Sequence, residues 1–407
     1  MNLRVLLASL VLTLSLPASG QSLNAEAVAS LDAWLNQAVT TTRVPGLVAL
    51  VTSKDGVIYE HAAGLMNSAA GKPMQVDAIF RLASMTKAVT STAIMMLVEE
   101  GRISLDAPAT QYLPAQGYPQ VLGPYQTGDA GFTSEPAQHP YTVRQLLTHT
   151  SGLGYTFTSD FLNTHMASTP NGRATELPLL FEPGSRWHYG EGTRVLGEIV
   201  AAVSGQELFA FLQSRLLEPL GMSDTSYDIP AAKNSRVVTT HRSNGTALIE
   251  DPNPPGEISS PHNGDGGLSG TARDYSAFIR LILNHGLTDQ QQRLLQADTV
   301  VTMGQNHTAP VVVGQMQTTN RLLSENFPLG AGTDSYSLGF QRTEAQVPGM
   351  RHIGSLAWAG IFNTEFWIDP DTGIGAVLMM QYLPFYDVDA ISVLQGFEQR
   401  VYAGLGE

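Results

Sequence analysis

The sequence has no cysteine, and only four of its 407 residues are lysine. Without cysteine no disulfide can form, so the fold must draw its stability from core burial. Charged residues are scarce at 14%, and acids outnumber bases 36 to 22, a formal net charge of −14. A surface of that sign repels phosphate backbones and anionic lipid, which argues against nucleic acid and membrane surfaces as partners. No apolar run reaches the ~18 residues that cross a bilayer. Three common signatures are also absent. There is no Gly-x-Ser-x-Gly nucleophile elbow. There is no His-Glu-x-x-His, and the ten histidines are scattered, so no metal is expected. There is no Gly-x-x-x-x-Gly-Lys-Ser/Thr loop to cradle phosphates, and no cofactor is expected. Internal repeats and low-complexity segments are missing too.

What is present fits a large globular protein. Hydrophobic residues make up 43%, and a chain this long can bury a sizeable core in two or three domains. The first twenty residues stand apart. Arg4 precedes an apolar run, Val5 to Leu16, and the small residues Ala18, Ser19 and Gly20 follow Pro17. This is the pattern of a secretory signal peptide, so the protein is expected to be exported, periplasmic or secreted. With no cysteine after the run, a lipid anchor there is excluded.

Periodicity places elements along the chain. A helix is expected over 24–38, and strands over 47–52 and 57–62 with Lys54-Asp55-Gly56 as the turn between them. Residues 84–100 read as an apolar helix ended by Gly101. Loops over 114–140 and 226–266 bracket short helical patterns at 142–149, 193–204 and 206–217. An amphipathic helix follows at 271–285, then strands at 336–341, 361–368 and 374–381, then a helix over 387–404. The order suggests an α+β protein: one antiparallel sheet built from both chain ends, with a helical region inserted between. On that reading residues 21–82 and 262–407 form the sheet domain and 83–261 the helical domain. The cleft between them is the natural ligand site.

Within this frame Lys87 is unusual. Lys54, Lys72 and Lys233 sit in polar turns or loops, whereas Lys87 lies in an apolar helix with Ser84 three residues before it. Positions i and i+3 share a helix face, so the amine and the hydroxyl point the same way. A serine hydroxyl is a weak nucleophile until a neighbouring base draws off its proton, and a buried lysine can be that base or share the proton with a second group. The helix N-terminus at Ser84 would also stabilise developing negative charge. Ser-x-x-Lys is short, however, and a serine at a helix start is commonly just an N-cap.

The surroundings add specificity. The segment Phe80-Arg81-Leu82-Ala83-Ser84-Met85-Thr86-Lys87 and its helix closely resemble the class C β-lactamase-like serine hydrolases. Leu146-Leu147-Thr148-His149-Thr150-Ser151-Gly152-Leu153, Glu182-Pro183-Gly184 and Pro219-Leu220-Gly221-Met222 resemble the same family. The resemblance spans nearly all of the chain after residue 20 and is nearest to the family VIII carboxylesterases. It implies a β-lactamase/penicillin-binding-protein-like fold and an acyl-enzyme on Ser84. It also implies a tyrosine completing the proton network, which maps to Tyr189; by itself a tyrosine is more often a core or surface aromatic. The lactamase motif is Tyr-x-Asn, and here Glu191 takes the Asn position, which argues against an efficient lactamase.

A third element of the family lies on an edge strand beside the nucleophile, where lactamases carry Lys-Thr-Gly. Two candidates exist, His352-Ile353-Gly354 and Trp358-Ala359-Gly360. Counting back from Asp369-Pro370 favours the second, with Ile361 offering a backbone N–H to the oxyanion beside that of Ser84. His352 could still line the pocket, although a lone histidine is more often structural. The Gly264–Gly270 run resembles the family's return to the sheet domain and reads as a structural bend.

Three functions are carried forward. The leading expectation is hydrolysis of short-chain carboxylic esters, with weak β-lactam turnover because acylation is shared. The second is a β-lactamase or D-amino-acid peptidase, against which Glu191 and the missing Lys-Thr-Gly weigh. The third is a non-catalytic ligand-binding or sensing protein on the same fold, against which the joint presence of Ser84, Lys87 and Tyr189 weighs.

Overall fold

The strands expected at both ends of the chain pair into one sheet in the computed structural model, which describes residues 21–243, 247–252 and 262–405. Residues 1–20, the segment read as a signal peptide, lie outside the described residues. The sheet has eight strands: β1 (Gly46–Ser53), β2 (Gly56–Asn67), β3 (Lys72–Pro73), β4 (Ser335–Tyr336), β5 (Gln341–Arg342), β6 (Leu356–Gly360), β7 (Thr364–Asp369) and β8 (Ile374–Met379), in the spatial order β4-β5-β6-β7-β8-β1-β2-β3. All of its neighbouring pairs are antiparallel. Strand β1 joins the two chain ends, because it pairs with β2 on one side and with β8 on the other, Leu50 facing Val377.

Strand β1 is buried along its whole length, and its alternating side chains serve two cores. Leu47, Ala49 and Val51 pack with Ala376 and Leu378 under helices α1 (Ala25–Thr41) and α9 (Val388–Gly404), which contribute Leu31, Leu35, Val393, Phe397 and Val401. Val48 and Leu50 face the other way, into the larger core shared with α2 (Thr86–Glu99) and α7 (Ala272–Leu283). Between the two strand regions the chain supplies α3 (Val143–Leu147), α4 (Asp160–His165), α5 (Gly192–Ser204) and α6 (Leu208–Leu212), and α8 (Ala297–Met303) follows α7. Helix α7 starts as its composition suggests, Thr271 accepting from the Asp274 amide. Among the described residues no single helix is long and apolar enough to cross a membrane.

Three expected elements come out differently. The single strand at 336–341 is a tight hairpin: Ser337 N–H donates to Phe340 O at 2.8 Å, and Gly339 adopts φ +104° against the Ser91 side chain. The strand at 361–368 begins only at Thr364. Residues 361–363 are a turn, in which Asn363 takes φ +62° and its N–H donates to Gly360 O, while its side-chain amide donates to Tyr382 O and Pro384 O. A left-handed residue with its own side chain bonded to a neighbouring loop ends a strand whatever its apolar pattern. The helix at 206–217 is regular only over Leu208–Leu212 and continues as a wider π turn through Leu217.

Candidate active site

Ser84 sits on a 3-10 turn, Ala83–Met85, that leads directly into α2. Several bonds hold that turn. The strand Phe80–Arg81 pairs with Ser269–Gly270, Leu82 N–H donates to Leu268 O, and Tyr275 OH donates to Met85 O. Ala83 takes φ +45°, a left-handed conformation that costs free energy for a residue with a Cβ. Strain of this kind immediately before a serine is a pointer to function.

Lys87 lies one turn along α2 and is 1% exposed. Its Nζ donates to Ser84 Oγ at 3.1 Å and to the backbone carbonyl of Asp265 at 2.6 Å. Two ring faces lie beside it, with the centroids of Tyr189 and Tyr155 at 4.9 and 5.3 Å from Nζ. Tyr189 reaches the same oxygen from the other side, its hydroxyl 2.6 Å from Ser84 Oγ. The three residues named from the sequence therefore meet at one atom.

Tyr189 is placed by its loop. The amide of Gly190 donates to His149 Nδ1, and the His149 ring lies 4.8 Å from that of Tyr189. Burial and the Lys87 charge hold His149 well below its ordinary range, so it is neutral and free to accept. Position 190 needs glycine, since a Cβ there would stand 2.2 Å from Leu153 O. Trp358 of β6 closes the ring cluster, 5.0 Å from Tyr189.

Strand β6 is paired with β5 only through Leu356 and Ala357, so its last three residues are unpaired on that side and run up to the Ser84 turn. Gly360 permits the contact: a Cβ would lie 2.3 Å from Leu82 O and 2.2 Å from Thr364 Oγ1. Among the described residues neither the Ser84 amide nor the Ile361 amide has a hydrogen-bond acceptor. Ser84, Tyr189, Trp358, Ala359 and Ile361 all line one cavity of about 710 Å³. Its walls are mostly aromatic and aliphatic, including Phe157, Phe327, Leu323 and Phe385.

Two of the sequence candidates fall elsewhere. His352 does not line the cavity; its ring and amide bond Asp369 at the far end of β7, and the ring packs on Tyr402. Glu191 is buried behind Tyr189 at the start of α5 rather than in the cavity wall. It accepts from the Ala174 amide and lies 3.9 Å from Arg194. Burial, with help from the Asp265 charge, pushes its carboxyl up to about 7.

The sequence reading missed the role of residues 263–269. The run bends at 264–266, and Asn263 and Asp265 to Ser269 also line the cavity; Thr90 Oγ1 donates to Gly264 O and Thr86 Oγ1 accepts from the Leu268 amide, binding the run along α2. Asp265 is its centre. The carbonyl holds Lys87, and the carboxylate accepts from Tyr155 OH at 2.6 Å. Burial and that carboxylate keep the Tyr155 hydroxyl protonated, pushed well above its usual value. The lone signal available in the sequence was the Asp among the four glycines 264, 266, 267 and 270.

These features define a hydrolase fold of the β-lactamase type, and the chain belongs to the beta-lactamase family, whose profile matches residues 31–395. Among individual relatives, the esterase EstB of Burkholderia gladioli is 29% identical, covering 90% of this chain and 93% of its own length. A lovastatin esterase of Penicillium rubens is also 29% identical, over 91% of this chain and 98% of its own. Among solved structures, a mutant of simvastatin synthase from Aspergillus terreus superposes with a TM-score of 0.80 at 25% identity, covering 93% of this chain and 95% of the other. The antiparallel sheet with flanking helices is the architecture these proteins share, and the chain is an enzyme of their hydrolytic class.

Proposed function

We propose that this protein hydrolyses small-molecule carboxylic esters through an acyl-enzyme on Ser84. The observation that carries the reading is the pair of contacts on Ser84 Oγ, from Lys87 Nζ at 3.1 Å and Tyr189 OH at 2.6 Å, at the wall of an apolar cavity. Ser84 Oγ attacks the ester carbonyl and its proton passes into the Lys87–Tyr189 pair. The tetrahedral oxyanion would be met by the Ser84 and Ile361 amides, which have no other acceptor among the described residues. Collapse releases the alcohol, which needs a proton. Tyr189 lines the cavity and Lys87 does not, so Tyr189 is the group that hands the proton on. Water then attacks the acyl-enzyme by the same route in reverse, leaving the acid and free Ser84.

The acyl part is proposed to be short, and a cavity of about 710 Å³ leaves room for a larger alcohol portion. The relatives named as esterases support ester over lactam. So does Trp358 at the position where lactamases place the lysine of Lys-Thr-Gly, because an indole cannot pair with a β-lactam's carboxylate. Weak β-lactam turnover remains part of the proposal, since acylation is common to both. The site of action is proposed to be outside the cytoplasm, on the sequence of residues 1–20.

The test is hydrolysis of p-nitrophenyl butyrate beside a chromogenic cephalosporin, with fluorophosphonate labelling. Ester turnover well above cephalosporin turnover, and label on Ser84, are expected. Faster cephalosporin turnover would favour the lactamase reading. Absence of both turnover and label would favour a binding protein.

A further inference from the structure

A second cavity, of about 330 Å³, lies on the opposite face of the sheet from Ser84. The strand alternation decides the face. Trp358 and Phe366 are register partners and join the core shared with α2, whereas Ala357 and Trp367, also partners, pack under α9. Ala359 and Glu365 are partners too, two residues on from Ala357 and two before Trp367, so they share the α9 face. Glu365 lines the second cavity, with Leu394, Gln395 and Glu398 of α9 opposite.

Glu365 is 7% exposed, and its Oε1 is buried with no hydrogen-bond partner among the described residues. A buried carboxyl without a partner is costly, and a native structure that keeps one calls for a reason. Among the described residues Arg351 is the one cation on the wall, and it is committed elsewhere. Its guanidinium makes two bonds to Glu398, at 2.7 and 2.5 Å, and rests on the Trp367 ring. Asp334 accepts from Gln341 and from the Glu344 amide. Among the described residues Asp334, Arg351, Glu398 and Tyr386 are the other titratable groups facing the cavity, so its three carboxyls meet one guanidinium. The approach is apolar: Leu329 and Val347, both strongly exposed, stand at the rim, and Met350, Phe385 and Leu394 continue inward.

We infer that this cavity is a binding site for an alkylammonium cation, the ammonium pairing with Glu365 and the alkyl chain lying along Met350, Leu394 and Val347. The chemistry matches at both ends: an unpartnered acid at the floor and an apolar passage to solvent. Burial pushes the Glu365 carboxyl up to about 8. A bound ammonium would ionise it, so binding releases a proton below that pH. The site rests on its own geometry and does not depend on the acyl-enzyme reading. Phe327, Trp358, Ala359 and Phe385 line both cavities, so occupancy has a direct route to the catalytic wall.

Titration calorimetry with hexylammonium tests the proposal, with hexanol and hexanoate as isosteric controls and Ser84→Ala as a control for the catalytic cavity. Hexylammonium is expected to bind wild type and Ser84→Ala alike and at least tenfold more tightly than hexanol. At pH 7 its heat should vary with the buffer's ionisation enthalpy, reporting the released proton. Glu365→Gln should weaken binding at least tenfold. Should that variant fail to fold, Val347→Trp at the exposed rim should block hexylammonium while ester hydrolysis persists. Equal binding of hexanol and hexylammonium, or no binding to wild type, overturns the proposal. So does unchanged affinity in Glu365→Gln, or loss of binding in Ser84→Ala.

Discussion

Tyr155 donates its hydroxyl to the carboxylate of Asp265 at 2.6 Å, and the carbonyl of that same Asp265 accepts from Lys87 Nζ at 2.6 Å. One residue on a glycine-rich run thus links a loop tyrosine to the lysine beside the nucleophile. Tyr155→Phe would free the Asp265 carboxylate and loosen the carbonyl that orients Lys87. The expected result is a fall in kcat of about tenfold with KM changed less, since what is lost is orientation of a reacting group. Steady-state kinetics on p-nitrophenyl butyrate checks it. An unchanged kcat would show that Asp265 holds Lys87 without help.

The contacts on Ser84 Oγ predict a graded series. Ser84→Ala and Lys87→Met should each lower kcat/KM by at least about 10³-fold, because either removes the nucleophile or a direct partner of it. Tyr189→Phe keeps the ring packing against His149 and Trp358 but removes the hydroxyl, and about 10²-fold or more should be lost. Circular dichroism should show all three folded.

Glu191 predicts a pH dependence of stability. Its folded-state value of about 7 stands above the ordinary 4.5. The folded protein therefore binds the proton more tightly than the unfolded chain. That advantage is complete below pH 4.5 and lost as pH rises through about 7. Glu191→Gln, which still accepts from the Ala174 amide, should be close to wild type at pH 4.5 and more stable by up to about 3 kcal/mol at pH 8. Denaturant unfolding at the two pH values measures this, and a gap that does not widen with pH would contradict it.

Gly360 predicts a steric effect on the catalytic wall. A methyl group at that position meets Leu82 O and Thr364 Oγ1 at 2.3 and 2.2 Å, so β6 must retreat from the Ser84 turn. Gly360→Ala should cost about 1–3 kcal/mol of stability. Ester turnover should fall by more than in a surface control such as Gly131→Ala, an exposed position without a left-handed φ that meets no neighbour within 4 Å. Unfolding midpoints and turnover of the two variants decide it.

Much of this protein could be read in the residues themselves. The short apolar run Leu47–Thr52 before a turn and the helical spacing of Ala272 to Ile282 are both local patterns, and both elements form where the pattern places them. Ser84 and Lys87 were legible for the same reason, since a three-residue spacing on a helix fixes direction without help from the rest of the chain. Tyr189 and the Trp358-Ala359-Gly360 strand could be named from motif order. What brought them to Ser84 Oγ was the folding of separate segments onto one another. His352 shows the limit, because nothing local distinguishes a histidine bonded to Asp369 from one in a cavity wall. Asp265, Tyr155 and Glu365 belong wholly to the tertiary structure. Their roles come from which carbonyl, hydroxyl or empty space lies within about 3 Å, and segments more than a hundred residues apart in sequence acquire such neighbours only when the sheet closes.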